Sequence, residues 1–406
     1  MYTTGLTEIS VPQVVMLLLG LFFAYLSIAK KYEPLLLLPL AFGIIIANIP
    51  GAFLSAYDVI YKLADGTLVN AGTTTLTDAQ LVGATVERYG LLYFLYQGIL
   101  CVIYPPLIFL CIGAMTDFGP LIASPKNVFI GLGGQLGIFI AFGSALIVSN
   151  ILCPLFGAEP LFSVNEAASI AIIGSSDGPT SIFAASRLAP DLLPTIAIAA
   201  FSYMALVPFI QPPIMRALTT AKERVVVMPE PHKVTQKQKI IFPIVVTILT
   251  LLLVPAAGAL VGMLMLGNLI RESGVTGRYI RTLQDDLLNV LTLLVAVSIG
   301  ASATADRFLT SKTLIIIFLG LLAFSFGTIG GVLVAKLLYK ITGGKVNPLI
   351  GNSGVSAMPM AARISQKLGK QYNPHNHLLM HAMGPIVAST IGSAIIAGIF
   401  IALYSS

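Results

Sequence analysis

The sequence contains little charge and no tryptophan. Asp, Glu, Lys and Arg make up 10% of its 406 residues, and hydrophobic residues make up 56%, whereas about a quarter of a soluble domain is charged. This balance excludes a disordered chain and an ordinary soluble enzyme, because so apolar a surface would not stay dissolved in water. The expected solvent is therefore lipid.

Cysteine is also scarce. The three cysteines lie in apolar runs without a CxxC or Cys/His spacing, so we expect small buried hydrophobic residues rather than disulfide partners or zinc ligands. Walker, GxSxG, HExxH and dinucleotide-binding motifs are missing as well, so the chain has no recognisable ATP site of its own. No interleaving of aromatic and basic residues indicates nucleic-acid binding.

Long charge-free runs are what the sequence has in abundance. A bilayer crossing takes about 20 mostly apolar residues, so the pattern predicts an all-α polytopic membrane protein. The first run is expected to be a retained helix rather than a secretory signal, because Lys30 and Lys31 follow it and no basic region precedes it. Eleven membrane elements are predicted, near residues 11–29, 34–50, 90–115, 128–153, 163–188, 191–217, 240–267, 286–304, 313–340, 347–366 and 374–404.

Two polar stretches interrupt the apolar runs. Residues 51–89 are expected to form a loop or a small hairpin outside the bilayer. Residues 218–239 are expected to link two repeats, 34–217 and 240–406, within one integral membrane domain that comprises the whole chain, 1–406.

Matching landmarks in the two halves indicate an internal duplication. Gly174 lies 177 residues before Gly351, and Pro208 lies 177 residues before Pro385. Five elements per half would place the second half upside down relative to the first, provided that elements five and ten cross the membrane. Inverted repeats around a site at the midplane are common in ion-coupled transporters. The distribution of Lys and Arg between the loops slightly favours an N-terminus on the inside.

Element five is interrupted by Gly174-Ser175-Ser176-Asp177-Gly178-Pro179-Thr180. Proline removes a backbone donor and glycine loosens the backbone, so the helix should unwind here and line a buried, hydrated cavity. A carboxylate in the middle of a membrane is costly unless it is paired or hydrated, and hard oxygen ligands suit Na⁺. We therefore interpret Asp177 as an ion or proton site, with Ser175 and Ser176 as further ligands. A purely structural helix cap is the alternative.

Element ten has a similar interruption without an acid, between Pro348 and Pro359. The two interruptions are expected to meet near the midplane, where helix ends can help to hold ions. Arg363, toward the end of this element, is either a residue that reaches the membrane surface or a partner for an anionic substrate or for Asp177. The neutral oxygen ligands that this element offers are Asn347, Asn352, Ser353 and Ser356.

Five segments resemble the β subunit of the biotin-dependent, sodium-translocating decarboxylases. The resemblance covers nearly the whole chain from about residue 14. The complexes of this family act on oxaloacetate, methylmalonyl-CoA, glutaconyl-CoA or malonate, and the short region 51–89 hints at an acyl-CoA type. The segments are GSSDGPTSIFAASRLAP (174–190), FSYMALVPFIQPPIMRALTT (201–220), GNLIRESGVTGR (267–278), GNSGVSAMPMAARISQKLG (351–369) and NPHNHLLMHAMGP (373–385).

The resemblance implies an activity and an assembly. A carboxyltransferase α subunit moves CO₂ onto biotin of a carrier protein, and the β subunit decarboxylates the carboxybiotin, consumes a proton and drives Na⁺ outward. The implied location is the bacterial inner (cytoplasmic) membrane, with a small γ or δ membrane subunit as a further partner. The implied assembly is a homotrimer in which a transport unit moves against a scaffold, as in elevator-type transporters.

The resemblance also carries over residue by residue. Asp177 matches the essential Na⁺-linked carboxylate of the family, and we expect it to be catalytic together with Tyr203 and Arg363. Arg363 would attract the carboxylate of carboxybiotin, and Tyr203 or Asp177 would deliver the proton, although the spacing around Tyr203 alone is more typical of a core or interfacial aromatic. Positions matched by the resemblance are Asp177, Tyr203, Asn347, Gly351, Ser356 and Arg363; Ser175, Ser176, Asn352 and Ser353 are added as Na⁺ ligands from their chemistry.

Two other functions share part of this pattern. A Na⁺- or H⁺-coupled secondary carboxylate transporter would also have inverted repeats and interrupted helices, and it would act without a biotin protein. A non-catalytic membrane anchor is the second alternative, but it gives no reason for an acid and several prolines within apolar elements.

Overall fold

The structure is a computed structural model that describes residues 5–72, 84–155, 157–230 and 232–405. The chain forms two compact units, each made of two segments: unit 1 comprises residues 1–104 and 289–313, and unit 2 comprises residues 105–288 and 314–406. Each unit contains parts of both predicted repeats.

Unit 1 combines apolar helices with a small sheet. In the sheet, β1 lies between β2 and β3 and pairs with both in antiparallel orientation. The hairpin predicted within 51–89 is therefore confirmed for β1 and β2. The elements are α1 (Gly5–Glu8), α2 (Val11–Lys30), α3 (Pro34–Ala47), β1 (Val59–Lys62), β2 (Leu68–Asn70), β3 (Thr85–Tyr89), α4 (Leu91–Leu100), α17 (Leu288–Ser302) and α18 (Ala305–Phe308).

Unit 2 is entirely helical in its described residues, and it holds the two interrupted elements. Its helices are α5 (Tyr104–Met115), α6 (Gly119–Ala123), α7 (Asn127–Gly134), α8 (Leu136–Ile147), α9 (Cys153–Leu155), α10 (Val164–Ala171), α11 (Gly178–Leu188), α12 (Leu193–Leu218), α13 (Ala221–Arg224), α14 (Gln236–Leu253), α15 (Gly258–Ser273), α16 (Gly277–Arg281), α19 (Ser311–Ile341), α20 (Met360–Tyr372) and α21 (Leu379–Tyr404). Short 3₁₀ or π segments join several of them, namely 148–152, 172–175, 190–192, 255–257, 282–287 and 348–354.

Several helices are long and apolar enough to cross a membrane. Among the described residues six helices qualify, and eight if each of two bent pairs counts as one span. The chain is thus an all-α polytopic membrane protein, while the predicted number of eleven elements is not confirmed. The spans are Val11–Lys30, Asn127–Leu155, Gln236–Leu253, Gly277–Ser302, Ser311–Ile341 and Leu379–Tyr404, with Leu91–Leu100 plus Tyr104–Met115 and Pro190–Met204 plus Leu206–Leu218 as the bent pairs.

The element predicted at 240–267 consists of two helices. Helix α14 ends at Leu253, and α15 begins at Gly258 after a 3₁₀ turn that starts with Pro255. Proline lacks a backbone donor and restricts the residue before it, so the helix ends at this point. The single predicted element is therefore corrected to two helices that pack against each other.

Glycines allow close helix crossings in each unit. In unit 1, a Cβ atom on Gly43 of α3 would meet the backbone of Gly300 on α17. In unit 2, a Cβ atom on Gly113 of α5 would overlap with the backbone of α15, where Gly267 faces α5 in turn. The Ile-Gly-Ala motifs of the two halves, 112–114 and 299–301, thus form the same kind of contact in different units.

Candidate cation site at two interrupted helices

The first interruption places an acid at the start of a helix. Helix α10 ends at Ala171, a 3₁₀ turn follows, and Ser176 adopts a left-handed backbone conformation with φ 56°. Asp177 is extended and forms the N-cap of α11, with Pro179 in the first turn. Because proline and glycine prevent a continuous helix here, the backbone turns and leaves the carboxylate at the positive end of α11.

The Asp177 carboxylate is buried and contacts hydroxyl groups. It is 5% exposed. Thr180 Oγ1 donates to Oδ2 at 2.7 Å, and Ser393 Oγ donates to the same oxygen at 3.1 Å. The Thr180 backbone N–H lies 3.5 Å from Oδ1. No ion pair described in this structure includes Asp177, so its charge is offset by hydroxyls and a helix end rather than by a basic side chain.

The second interruption lies directly against the first. The backbone N–H of Ser356 donates to the carbonyl oxygen of Ser175 at 2.9 Å. The predicted contact between the two interruptions is therefore present, while their position near the midplane stays a prediction. Ser356 Oγ donates to Ser389 Oγ on α21 at 3.0 Å, and Ser393, which contacts Asp177, lies one turn further along the same helix.

Glycine backbones make this contact possible. A Cβ atom on Gly134 would overlap with the carbonyl group of Gly354, and one on Gly174 would meet Gly137. Gly351, one of the predicted Na⁺ ligands, packs against Gly331 of α19 in the same way. The backbones of α7, α8 and α19 thus contact the backbones of the two interruptions. This close contact leaves the interruptions little room to shift.

Asn352 and Ser353 belong to a separate polar network. Asn352 Nδ2 donates to Gln211 Oε1 at 2.8 Å and to the Ala361 carbonyl at 2.9 Å. Ser365 Oγ donates to Asn352 Oδ1, and Ser353 Oγ lies 3.4 Å from that oxygen. These groups satisfy one another's hydrogen bonds and join the 3₁₀ segment 348–354 to α20.

Element ten reverses its direction, so that the residues that flank it lie close together. Asn347 Nδ2 donates to the Arg224 and Val226 carbonyls at 3.1 Å and 2.8 Å, and Asn376 Nδ2 donates to the same Arg224 carbonyl at 3.0 Å. Residues 347 and 376, which flank the segment, therefore lie at one backbone oxygen. Element ten is not among the candidate membrane spans of the described residues, so its crossing is not confirmed, and these contacts favour a segment that returns. The physical reason is the chain reversal between Val355 and Pro359, after which α20 runs back.

The remaining predicted ligands differ in how well they are satisfied. Ser175 Oγ donates to the Ile172 carbonyl at 2.8 Å, so its hydroxyl hydrogen is already used by its own turn. Ser176 Oγ is buried and has no hydrogen-bond partner among the described residues.

Tyr203 and Arg363 do not contact Asp177. Tyr203 is 4% exposed, and its hydroxyl donates to the Ile317 carbonyl of α19. Arg363 is exposed on α20, and no ion pair between it and Asp177 is formed in the part of the chain that the structure describes. The option of a direct Arg363–Asp177 pair is therefore not realised among the described residues, and the guanidinium is exposed.

Three side chains around the site were missed from the sequence. Ser393, Ser389 and Gln135 lie in apolar runs, outside both interruptions and outside the segments that resemble the family. A signal did exist, because Ser389 and Ser393 are four residues apart and share one face of α21, and Gln135 is the single amide in the run 128–148.

Comparison with known proteins identifies the family of the chain. A sequence model described as Na⁺-transporting oxaloacetate decarboxylase beta subunit matches residues 12–404. The chain is 50% identical over 404 residues to the methylmalonyl-CoA decarboxylase subunit beta of Propionigenium modestum, covering 99% of this chain and 98% of the relative.

Two further relatives differ in alignment length. The glutaconyl-CoA decarboxylase subunit beta of Acidaminococcus fermentans is 46% identical over 400 residues, covering 98% of this chain and 95% of the relative. The oxaloacetate decarboxylase beta chain 2 of Salmonella typhi is also 46% identical, but over 422 residues, covering 98% of this chain and 96% of the relative. The last alignment is longer than this chain.

Proposed function

The chain belongs to the family of β subunits of Na⁺-transporting decarboxylases, and from that premise we propose that it couples the decarboxylation of carboxybiotin to Na⁺ export through Asp177. The observation that supports this most directly is the buried Asp177 carboxylate at the junction of two interruptions, held by hydroxyls and without a basic partner among the described residues. Such a site has one negative charge to offer, which one Na⁺ or one proton can neutralise.

The proposed mechanism assigns each residue a task. Carboxybiotin, when its carrier presents it, supplies the CO₂ that is released and takes up one proton. Arg363 attracts and orients its carboxylate, which fits an exposed guanidinium without a partner in the described ion pairs. Asp177 binds Na⁺ or a proton but not both. Coupling follows because a ligand shifts the protein between states only by its different affinity for them.

Tyr203 is the second candidate for holding the proton. Its hydroxyl donates to a backbone carbonyl of α19, so a movement of α19 relative to α12 would free that hydrogen. We propose that Tyr203 delivers the proton only in the state in which this bond is broken, that it regains a proton from water, and that Asp177 then exchanges its cation.

Basic residues gather at one end of unit 2, and we propose that this end faces the cytoplasm. Arg224 lies beside both ends of element ten, and Lys336 Nζ donates to the Leu218 carbonyl at 2.8 Å. The far ends of α7–α9 and of α12 carry mainly acids, namely Glu159, Glu166 and Asp191, with Arg187. The basic residues of this end are Lys126, Arg216, Lys222, Arg224, Lys336, Lys345 and Lys370, and the acids Glu223 and Glu230 lie among them.

We propose that the repeats are inverted, with revised bounds near 34–218 and 258–404. Element five returns as well, because it connects through residues 190–192 to α12, whose other end lies at the basic end. Each repeat then has four crossings and one returning segment, and the additional crossing of α14 inverts the second repeat. An elevator-like movement of a transport unit fits this plan.

Partners and location follow from the family premise. We propose that a carboxyltransferase and a biotin carrier approach the basic end of unit 2, that a small membrane subunit completes the complex, and that the β subunit forms a homotrimer in the bacterial cytoplasmic membrane. The shorter alignments with the two acyl-CoA decarboxylase relatives favour an acyl-CoA rather than oxaloacetate as the substrate of the carboxyltransferase.

The test uses the whole complex reconstituted in liposomes. Asp177→Asn should abolish both decarboxylation and Na⁺ uptake, while Asp117→Asn, a matched acid outside the junction, should keep both. Avidin should block Na⁺ uptake by the wild-type complex. Na⁺-stimulated decarboxylation in Asp177→Asn would refute the role of the acid, and transport insensitive to avidin would support a secondary transporter.

A further inference from the structure

We propose that the side-chain oxygen of Gln135 is a ligand of the transported Na⁺. This inference rests on the proposed function, because it adds a residue to the Asp177 site. Neither the interruptions nor the motifs that resemble the family include Gln135, which lies between α7 and α8.

The hydrogen bonds of Gln135 fix the direction of its amide. Nε2 donates to the backbone carbonyl of Ser389 at 3.1 Å and to Ser389 Oγ at 2.9 Å. A backbone carbonyl can only accept, so the nitrogen must face α21 and the oxygen must face away from it. Gly392 makes room for this arrangement, since a Cβ atom there would lie 3.3 Å from Nε2.

The oxygen of this amide is left without a partner. Gln135 is 2% exposed, and its Oε1 atom accepts no hydrogen bond from any described residue. Buried carbonyl oxygens are nearly always satisfied, because leaving one unpaired loses the hydration that it had in water. An oriented, buried and unpaired oxygen, held by the same helix that contacts Asp177, is therefore expected to have a ligand.

The same face of α21 connects this amide to Asp177. Ser389 holds the Gln135 amide and accepts a hydrogen bond from Ser356, and Ser393 donates to the Asp177 carboxylate. Ser389 and Ser393 are four residues apart, so their Cβ atoms are about 5–6 Å from each other on the helix surface. The Gln135 amide and the Asp177 carboxylate thus contact α21 at residues that are one helical turn apart.

A second unpaired oxygen lies next to the acid. Ser176 is 1% exposed, its Oγ atom has no partner among the described residues, and it directly precedes Asp177. Two unpaired neutral oxygens and one carboxylate form a hard donor set. A monovalent cation leaves this set without net charge, whereas a divalent cation would leave an uncompensated positive charge in a buried site, which is costly.

A structural role for Gln135 makes a different prediction. If the amide only ties α7 and α8 to α21, its loss should reduce stability and maximal rate without changing how much Na⁺ the enzyme needs. If Oε1 binds Na⁺, the Na⁺ concentration for half-maximal decarboxylation should rise even where the maximal rate is largely kept.

The experiment measures decarboxylation by the purified complex against Na⁺ concentration. Gln135→Leu should raise the half-saturating Na⁺ concentration about tenfold or more, because it removes the oxygen and keeps a side chain of similar size. Thr390→Val is the matched control, because the Thr390 hydroxyl is bound within its own helix to the Ile386 carbonyl at 3.0 Å. It should leave the Na⁺ dependence unchanged.

Thermal unfolding provides a readout that does not need activity. Added Na⁺, compared with K⁺, should raise the melting temperature of the wild-type complex and of Thr390→Val, but not that of Gln135→Leu. The inference would be overturned if Gln135→Leu kept the wild-type half-saturating Na⁺ concentration and the wild-type Na⁺-induced rise in melting temperature. In that case Asp177→Asn would still lose both properties, so the proposed function would stand. If Asp177→Asn itself keeps its Na⁺ dependence, the proposed function fails instead.

Discussion

At the scale of single residues, Asp177 combines two tasks that are usually considered alternatives. It caps α11 through Thr180, as a purely structural acid would, and it is also the buried charge that contacts the second half of the protein through Ser393. Sequence alone predicts Asp177, because an acid between glycines in an apolar run is conspicuous. It does not predict Ser393, which lies 216 residues further along the chain and is brought close only by folding.

Thr180→Val tests the importance of the hydroxyls that hold the acid. The variant removes a donor to a buried carboxylate, and a hydrogen bond to a charged group contributes about 1.5–3 kcal/mol. We expect the free energy of unfolding to fall by about that amount and the melting temperature of the complex to drop. Thr390→Val, an identical replacement whose hydroxyl serves only its own helix, should change stability by less than about 1 kcal/mol; equal losses in both would contradict the account.

The acid-range stability of the protein should depend on Asp117, which lies in the loop between α5 and α6. Burial alone would raise the pKa of this carboxyl, but the hydrogen bond and charge of Lys239 and the Gly119 N–H together lower it below its usual range. Because the folded pKa is lowered, the stabilisation is present above the unfolded pKa of about 3.9 and is lost as the pH falls through the folded pKa.

The measurement is the melting temperature of the complex between about pH 3 and pH 7. Asp117→Asn should remove part of the stability gained above about pH 4, so its profile should be flatter than that of the wild type. Identical profiles for the two proteins would show that the Asp117–Lys239 pair, at 2.9 Å, does not contribute.

At the scale of elements, the close approach of backbones at glycines determines the site. Gly134→Ala places a Cβ atom against the Gly354 carbonyl, and such overpacking typically costs about 1–3 kcal/mol. We expect lower stability and a large loss of Na⁺-dependent activity, because the second interruption must shift. Gly143→Ala, also in a helix but with no atom within 4 Å of the added Cβ, should be neutral or stabilising by up to about 1 kcal/mol. Wild-type activity in Gly134→Ala would mean that this contact is dispensable.

The elements themselves were predictable to different degrees. Apolar runs and the two interruptions could be read from composition and from the glycines and prolines. The return of element ten could not, since Asn347 and Asn376 meet at Arg224 only in the folded chain. One signal was nevertheless available: α20 carries Arg363, Lys367 and Lys370 on its exposed face, and a helix with three basic residues is a poor candidate for a lipid-facing span.

At the scale of the whole molecule, the account makes a prediction about membrane sides. Lys345→Cys and Lys370→Cys flank element ten and are exposed, so a membrane-impermeant maleimide should label both from the cytoplasmic side. Glu159→Cys, at the end with mainly acidic residues, should be labelled only from the outside. Labelling of positions 345 and 370 from opposite sides would mean that element ten crosses after all.

The most direct test of the central claim is equilibrium binding of radioactive Na⁺ to the purified complex without decarboxylation substrate. The account predicts saturable binding by the wild type and by Asp117→Asn, and its loss in Asp177→Asn. Undiminished Na⁺ binding in a folded Asp177→Asn complex would contradict the claim that this buried carboxylate holds the transported ion.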